Sequence, residues 1–594
     1  MRTAARAGLA GRRVQAWAVG LVLLATTACC TLAAGLTAAK TQRAGLAGPL
    51  VPFLVAFGLI GLVLSVLTVV NVVGGMVAAG TRRIGLLRSV GFTPAQVVSV
   101  YVLQAAAPAA AGVAGGVVLA NLLGGSMLGR AAQVPAAGPL AIPPWVDLTV
   151  PLALLGLAGL AALVPAARAG RLSAVQAIAV GRGPRTKRRH HALPVLGRLR
   201  GLPRPVAIGL AGSFARPGRT LVTFAAIWFG AVAVTFGAGL GTAVDRVAAD
   251  TSLPGEQVQV SLPGPPGQTT FMAPNVPPAP GTFPDPPSMA AQNRAAVAAL
   301  RVQPGSSHYV AESDDQLRVS GLAGTAWVTA FGGDASWAGY TLISGHWYRP
   351  GGAVVNTAFL DATGKRVGDT LALAGHGRSV TLRITGQVLV FGPPGSPAVV
   401  LTNLAPVTAL DPSGLSPQLY DVGLRPGVSA RDYVNAVAAR LGPRYTVVVP
   451  DNPLLNPLTT LIAFLTLLLA AVAGLGVLNT VVMMTRERVH DLGVFKAIGM
   501  TPGQVIALAV TTVAATGLVA GLTAVPFGII LERATLPVMA AAAQTALPAG
   551  VADVYNPAEL VLLALVGLVI AVAGALAPAG WAARTPTALA LRAE

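Results

Sequence analysis

Two short stretches hold the residues whose types and spacing suit an interaction chemistry. In the first, Arg82, Arg83 and Arg88 surround Ile84, Gly85, Leu87 and Val90, and Gly91 follows. In the second, Arg486, Arg488 and Lys496 surround Leu492, Gly493, Phe495 and Ile498, and Gly499 follows. The apolar residues recur at the three-residue step of one helix side. Such a segment offers cations and an apolar ridge to another protein, or lies against lipid headgroups. No bond-making chemistry competes with it. Cys29 and Cys30 are adjacent, and no CxxC or His/Cys cluster has metal-ligand spacing. Residues 245–455 hold no set for nucleophilic or acid–base catalysis. A phosphate loop of the form Gly-x-x-x-x-Gly-Lys-[Ser/Thr] is absent, since Gly364-Lys365 is followed by Arg366. The chain reads as no enzyme, with no metal or cofactor of its own.

The residues that close each stretch are punctuation. Gly91 and Gly499 stand where a short helix needs a left-handed residue to stop. Thr93 then reads as an N-cap, Pro94 as the first helical residue, and Gln96 as the third, which completes a capping box. Thr501, Pro502 and Gln504 repeat the device.

The elements that must position these stretches are membrane helices. Of 594 residues, 54% are hydrophobic and 10% charged, with a mean hydropathy of +0.68, against about 25% charged in a soluble domain. Eight segments are long and apolar enough to cross a bilayer: Val14–Leu36, Leu50–Met76, Ala95–Gly124, Asp147–Val164, Thr220–Val244, Pro457–Met484, Gly503–Ile530 and Pro557–Ala577. The first also reads as a cleavable signal peptide, because Arg2, Arg6, Arg12 and Arg13 precede an apolar run ending in small residues.

Net charge is +20, yet it does not mark nucleic-acid binding. Residues 245–455 hold 13 Lys/Arg and 14 Asp/Glu. The excess lies in short loops beside apolar spans, the signature of cytoplasmic loops. Even the tract Arg185-Thr-Lys-Arg-Arg-His-His191 reads first as an orienting or lipid-attracting segment. Alternation then places residues 245–455 outside the cytoplasm.

That outer segment opens Pro-rich, from Leu253 to Ser288. Strands are predicted at Gln316–Ser320, Ala326–Phe331, Ala353–Asn356, Thr370–Ala374, Ser379–Ile384 and Gln387–Phe391, and a helix over Ser429–Leu441. The fold class expected is mainly α: eight transmembrane helices in two repeated four-helix units, plus one extracytoplasmic α/β domain. The boundaries are 1–180 for the first unit, 181–215 for a basic cytoplasmic linker and 216–244 for the first helix of the second unit. The outer domain takes 245–455, and the remaining three helices 456–594.

The repeat is direct. Leu67–Val97 aligns without gaps on Leu475–Val505 at an offset of 408 residues, pairing Asn71 with Asn479, Gly85 with Gly493, Arg88 with Lys496 and Gly91 with Gly499. Pro165-Ala-Ala-Arg-Ala-Gly-Arg171 likewise matches Pro578-Ala-Gly-Trp-Ala-Ala-Arg584.

Ile84–Val97 and Leu492–Val505, with the Pro-x-x-x-Ala-x-Arg tail, resemble the FtsX-like permease family, which includes the MacB, LolC/LolE and BceB membrane proteins. In the outer segment Leu342–Trp347, Ala353–Asn356 and Val367–Thr370 are similar to the family's periplasmic domain, although Ala353 stands where Glu is frequent. The resemblance implies the membrane subunit of a type VII ABC transporter in a bacterial plasma membrane. It further implies two separate ABC ATPase subunits that bind ATP and Mg and dock on Arg82–Val90 and Arg486–Ile498. Their motion would be transmitted to the outer domain to export or extract a lipid-anchored, peptide-like or amphipathic substrate. The alternative is regulatory, with the same motion controlling a cell-wall hydrolase or sensor kinase outside. An ion-coupled carrier fits poorly, because Asp147, Glu532 and Glu559 fall near span ends. Two departures stand: the first unit has only Thr37–Pro49 where many relatives carry a domain, and BceB-type proteins have ten helices against eight here.

Overall fold

The computed structural model describes residues 2–38, 49–80, 84–86, 89–131, 142–171, 206–207, 209–210, 217–251, 258–262, 289–338, 340–375, 377–393, 396–410, 417–449, 455–487, 489–548, 550–551 and 553–584. Outside them lie most of the Pro-rich start of the outer segment (all but 258–262), the tract 185–191, nearly all of the linker 181–215, and Arg82, Arg83, Leu87, Arg88 and Arg488.

Helices α1 (Arg2–Ala38), α2 (Leu50–Ala79), α3 (Pro94–Ala131), α4 (Pro144–Gly170) and α5 (Pro217–Thr251) come first. The outer domain follows. Its strands are β1 (Val258–Ser261), β2 (Ser306–Val319), β3 (Thr325–Gly332), β4 (Leu342–Gly345), β5 (Gly352–Asn356), β6 (Thr370–Gly375), β7 (Arg378–Val388), β8 (Val399–Asn403), β9 (Leu419–Leu424) and β10 (Thr446–Val448). Helices α6 (Met289–Val302), α7 (Thr357–Thr363), α8 (Leu404–Leu410) and α9 (Ala430–Leu441) are interleaved with them. The chain then returns through α10 (Leu455–Glu487), the short α11 (Val489–Ala497), α12 (Pro502–Ala542) and α13 (Pro557–Arg584).

Eight of these helices are long and apolar enough to cross a membrane: α1 to α5, α10, α12 and α13. They pack as two units with one contact pattern. In the first, α1 lies against α2 and α3, and α4 against α2 and α3; in the second, α5 lies against α10 and α12, and α13 against α10 and α12. Small residues make this closeness possible. A Cβ on Gly112 of α3 would run into the backbone of Gly20 on α1, and one on Gly567 of α13 into Gly517 and Gly521 of α12. The units meet where α2 touches α5 and α10 and where α1 touches α10. The seam is apolar, with Phe57 and Phe236 rings 5.2 Å apart, but Asn71 Nδ2 donates to Thr480 Oγ1 across it at 3.0 Å.

The outer domain is one ten-stranded sheet in the order β10-β1-β9-β2-β3-β8-β5-β7-β4, with β6 pairing β2 and β7. Among the described residues, only β3–β8 and β5–β7 run parallel. β1, β4, β8, β9 and β10 go beyond the strands read from sequence. β7 replaces two predicted strands, Ser379–Ile384 and Gln387–Phe391. Gly386 lies between those two ranges. Here it lets β4 approach, since a Cβ would sit 2.7 Å from the His346 carbonyl oxygen. The predicted helix over Ser429–Leu441 is α9, with Ser429 accepting from Asp432 N.

The domain rests on the second unit. Thr357 Oγ1, at the start of α7, accepts from Ala546 N in the loop after α12 at 3.0 Å and from Gln387 Nε2 at 2.9 Å. Leu389 is buried in the same apolar cluster as the membrane helices, with Ile343 and Leu547 packed on it.

Candidate functional site

The two stretches that opened the sequence reading lie at the inner ends of α2–α3 and α10–α12. Gly91 has φ +101° and Gly499 +102°, outside the regions open to residues with a Cβ. After Gly499 the termination is a Schellman motif: Gly499 N donates to Lys496 O and Met500 N to Phe495 O, both at 3.0 Å. The next helices start with matching boxes. Thr93 N donates to Gln96 Oε1 at 2.9 Å and Gln96 N to Thr93 Oγ1 at 3.3 Å. In the second copy Thr501 N donates to Gln504 Oε1 at 2.9 Å and Gln504 N to Thr501 Oγ1 at 3.4 Å. Pro94 and Pro502 open α3 and α12, where a missing N–H costs nothing.

The apolar side differs from the one drawn from spacing. Ile84 is fully buried and anchors the loop to its own bundle, and Gly85 is buried with it. Val90, assigned to the same side, is 76% exposed. The exposed apolar residues form a different set with a shared register: Leu86 and Val494 are 57% and 37% exposed, and Val90 and Ile498 76% and 80%. Each pair is separated by the 408-residue offset (494 − 86 and 498 − 90). Sequence spacing missed Leu86 and Val494, although their identical repeat register was visible.

Lys496 has an internal task. Its Nζ donates to Ala582 O at 3.0 Å and Ala583 O at 2.8 Å, the last carbonyls of α13. A cation there satisfies acceptors that the helix cannot and faces the negative end of its dipole. Burial pulls the ammonium below the ordinary lysine range. Phe495 is half-buried, and Gly493 is buried. The side chains of Arg486 and Leu492 lie outside the described set.

The closing repeats pack on these loops. Ala582 and Ala583 of α13 form a small cluster with Val505, Met500 and Ile506. At the end of α4, a Cβ on Gly170 would meet Val98 Cγ2 at 3.1 Å and Pro94 O at 3.2 Å. The small residues in the shared tail are thus contacts with the start of the third helix in each unit.

From this site α12 runs without interruption to the outer domain. Its 41 residues span about 61 Å at 1.5 Å per residue, roughly twice a hydrocarbon core. It begins at Thr501, beside Gly499, and ends four residues before Ala546, the contact of Thr357.

Residues 55–174 and 463–587 match the sequence model described as FtsX-like permease C-terminal. The two matches begin 408 residues apart (463 − 55), the offset of the internal repeat. No curated protein matches. Among solved structures, the periplasmic region of MacB from Actinobacillus actinomycetemcomitans is similar at 10% identity, covering 33% of this chain and 91% of that one with a TM-score of 0.23. A heavy metal efflux pump is similar at 14% identity over 96% of this chain and 68% of that one, with a TM-score of 0.13. At those scores neither superposition defines a fold. Repeat, helices and matched stretches coincide: the chain is a multi-pass membrane protein whose two repeated helical units each carry a stretch similar to the FtsX-like permease model.

Proposed function

We propose that this protein transmits motion across a bacterial plasma membrane, from two cytoplasmic ABC ATPase subunits that bind ATP and Mg to its outer domain, and so exports or extracts a lipid-anchored, peptide-like or amphipathic substrate. The observation that carries the reading is the pair of matched apolar tips, Leu86 with Val90 and Val494 with Ile498. Each is followed directly by a turn fixed by a left-handed glycine and a capping box. Solvent-exposed apolar side chains on a rigid mount suit burial in a partner. Arg82, Arg83, Arg88, Arg486 and Arg488 add cations beside them in sequence. Lys496 belongs to the mount, through α13.

Rigidity also favours transmission. A push on the second tip meets α12 at its capped end, and α12 delivers it to the loop that hydrogen-bonds Thr357. The first unit has the same left-handed glycine and capping box, and only a short connection between α1 and α2 in place of an outer domain, so the two ATPases would drive a single load.

The test is co-expression with an ABC ATPase encoded beside this chain, purification of the complex, and measurement of ATP hydrolysis. Val90→Glu together with Ile498→Glu should abolish co-purification and leave the membrane protein folded, since neither side chain is buried. An intact complex with the double variant would end the docking assignment.

A further inference from the structure

The sequence placed Glu532 near the end of a span. The structure continues α12 for ten residues beyond it, and Glu532 is fully buried. Neither carboxylate oxygen has a hydrogen-bond partner. Around it, α5 and α12 close tightly: a Cβ on Gly528 would sit 2.5 Å from Thr235 Cβ, and one on Gly239 would collide with the Tyr555 hydroxyl. That hydroxyl donates to Thr235 O at 3.1 Å and is committed there.

The neighbouring cations are also committed. Arg533 points to the surface and pairs with Asp553 at 3.1 Å. Arg246 of α5 donates to Gly550 O at 3.3 Å and Asp553 O at 3.0 Å. The ionisable groups around the site are therefore Arg533 on α12, Asp553 and Tyr555 in the loop, Glu559 on α13, and Asp245 and Arg246 on α5; α2, the remaining packed element, carries none.

An ionised carboxylate buried in this way, with no hydrogen-bond donor and its nearest cation, Arg533, paired with Asp553, costs several kcal/mol. A divalent cation would need six or more oxygens, and among the described residues no three His, Cys, Asp or Glu side chains come together. The proton is the ligand that fits. The permease fold does not require the group, because the residue 408 positions earlier is Gly124. The carboxyl occurs in the unit that bears the outer domain, ten residues before the end of α12.

We infer that Glu532 is a proton-binding site at the outer junction of the second unit, loaded while α5 and α12 are closed on it and emptied to the outer water when their ends part. The proton comes from and returns to solvent, so nothing else need balance. Outer acidity then stabilises the closed junction, and opening of the outer end carries a pH dependence. This goes beyond the ATPase reading and needs no partner protein.

The experiment uses the full chain in lipid nanodiscs. Thermal midpoints are measured from pH 5.5 to 8.5 for the unaltered protein and for Glu532→Gln, which keeps the shape of the neutral acid. A proton held by the folded state and not by the unfolded one weakens folding by up to about tenfold per pH unit as pH rises. The unaltered midpoint should therefore fall with pH, and the variant should show a shallower slope. Parallel profiles overturn the inference. A second readout needs no variant: dicyclohexylcarbodiimide, an apolar reagent for protonated carboxyls, should label Glu532 at pH 6 and progressively less above pH 8, with exposed Asp553 as comparator. Absence of label on Glu532 at pH 6, or labelling no greater than on Asp553, also overturns it.

Discussion

Replacing Gly91 and Gly499 with alanine isolates backbone geometry from packing. An added Cβ meets nothing within 4 Å at either position, so steric clash with neighbours contributes nothing. The cost is the dihedral alone. At φ +101° and +102° a residue with a Cβ is strained by about 1–3 kcal/mol, or roughly 2–6 kcal/mol for both loops. A domain stable by about 5–15 kcal/mol survives that, and the loops relieve the strain by turning. Rotation of a tip moves Val90 or Ile498 off its line. Gly503→Ala is the control: it also has open space for a Cβ, but sits in the first turn of α12 with ordinary helical φ. There alanine should stabilise by up to about 1 kcal/mol. In the purified complex the double glycine variant should lose most transport-coupled ATP hydrolysis while its thermal midpoint falls modestly. If it hydrolyses ATP in step with substrate movement as Gly503→Ala does, the left-handed hinge has no part in coupling.

Three further outcomes follow from individual contacts. Lys496→Met removes two bonds to the last carbonyls of α13; with the site half-buried, a loss of about 1–3 kcal/mol is expected, visible as faster hydrogen exchange at residues 578–584. Asn71→Leu should destabilise the seam between units by about 0.5–2 kcal/mol, and a double-mutant cycle with Thr480→Val should show coupling; strict additivity would mean the 3.0 Å bond does not bind the units. In the outer domain, Asp314 donates nothing and accepts from Thr329 at 2.6 Å and Trp327 at 3.2 Å through one oxygen. Burial, with the charge of Asp421 adding to it, raises its carboxyl to about 6. The folded state thus holds the proton more tightly than the unfolded one. Its stabilising effect is complete below about pH 4 and lost as pH rises to about 6. Asp314→Asn keeps the accepting oxygen, so it should flatten that part of the stability curve and gain up to about 3 kcal/mol at pH 7; thermal melts across pH 4–8 check this.

Sequence alone determined whatever is encoded within one turn or one span. The eight apolar runs are eight membrane helices, because a bilayer demands about 20 apolar residues whatever surrounds them. The left-handed glycines and the Thr-Pro-x-Gln boxes were legible because dihedral preference and capping act over four residues. The repeat was legible because its offset preserves register. The strands β3, β5 and β6 were legible from short apolar runs bounded by turn residues, which is again local information.

Tertiary structure decided the rest. Spacing put Ile84 and Val90 on one ridge, and which of them faces out depends on where the bundle lies: it buries Ile84 and leaves Val90 exposed. Lys496 looked like a docking cation until α13, 86 residues on, brought its carbonyls to it. Residues 379–384 and 387–391 read as two strands, and nothing local announces the neighbouring strand that keeps Gly386 inside one. Glu532 passed for a span-end carboxylate since hydropathy measures composition along the chain, whereas burial is set by helices α5 and α12 that meet across nearly 300 residues of sequence. Local propensities carry no information about such partners. Only the packed bundle supplies it.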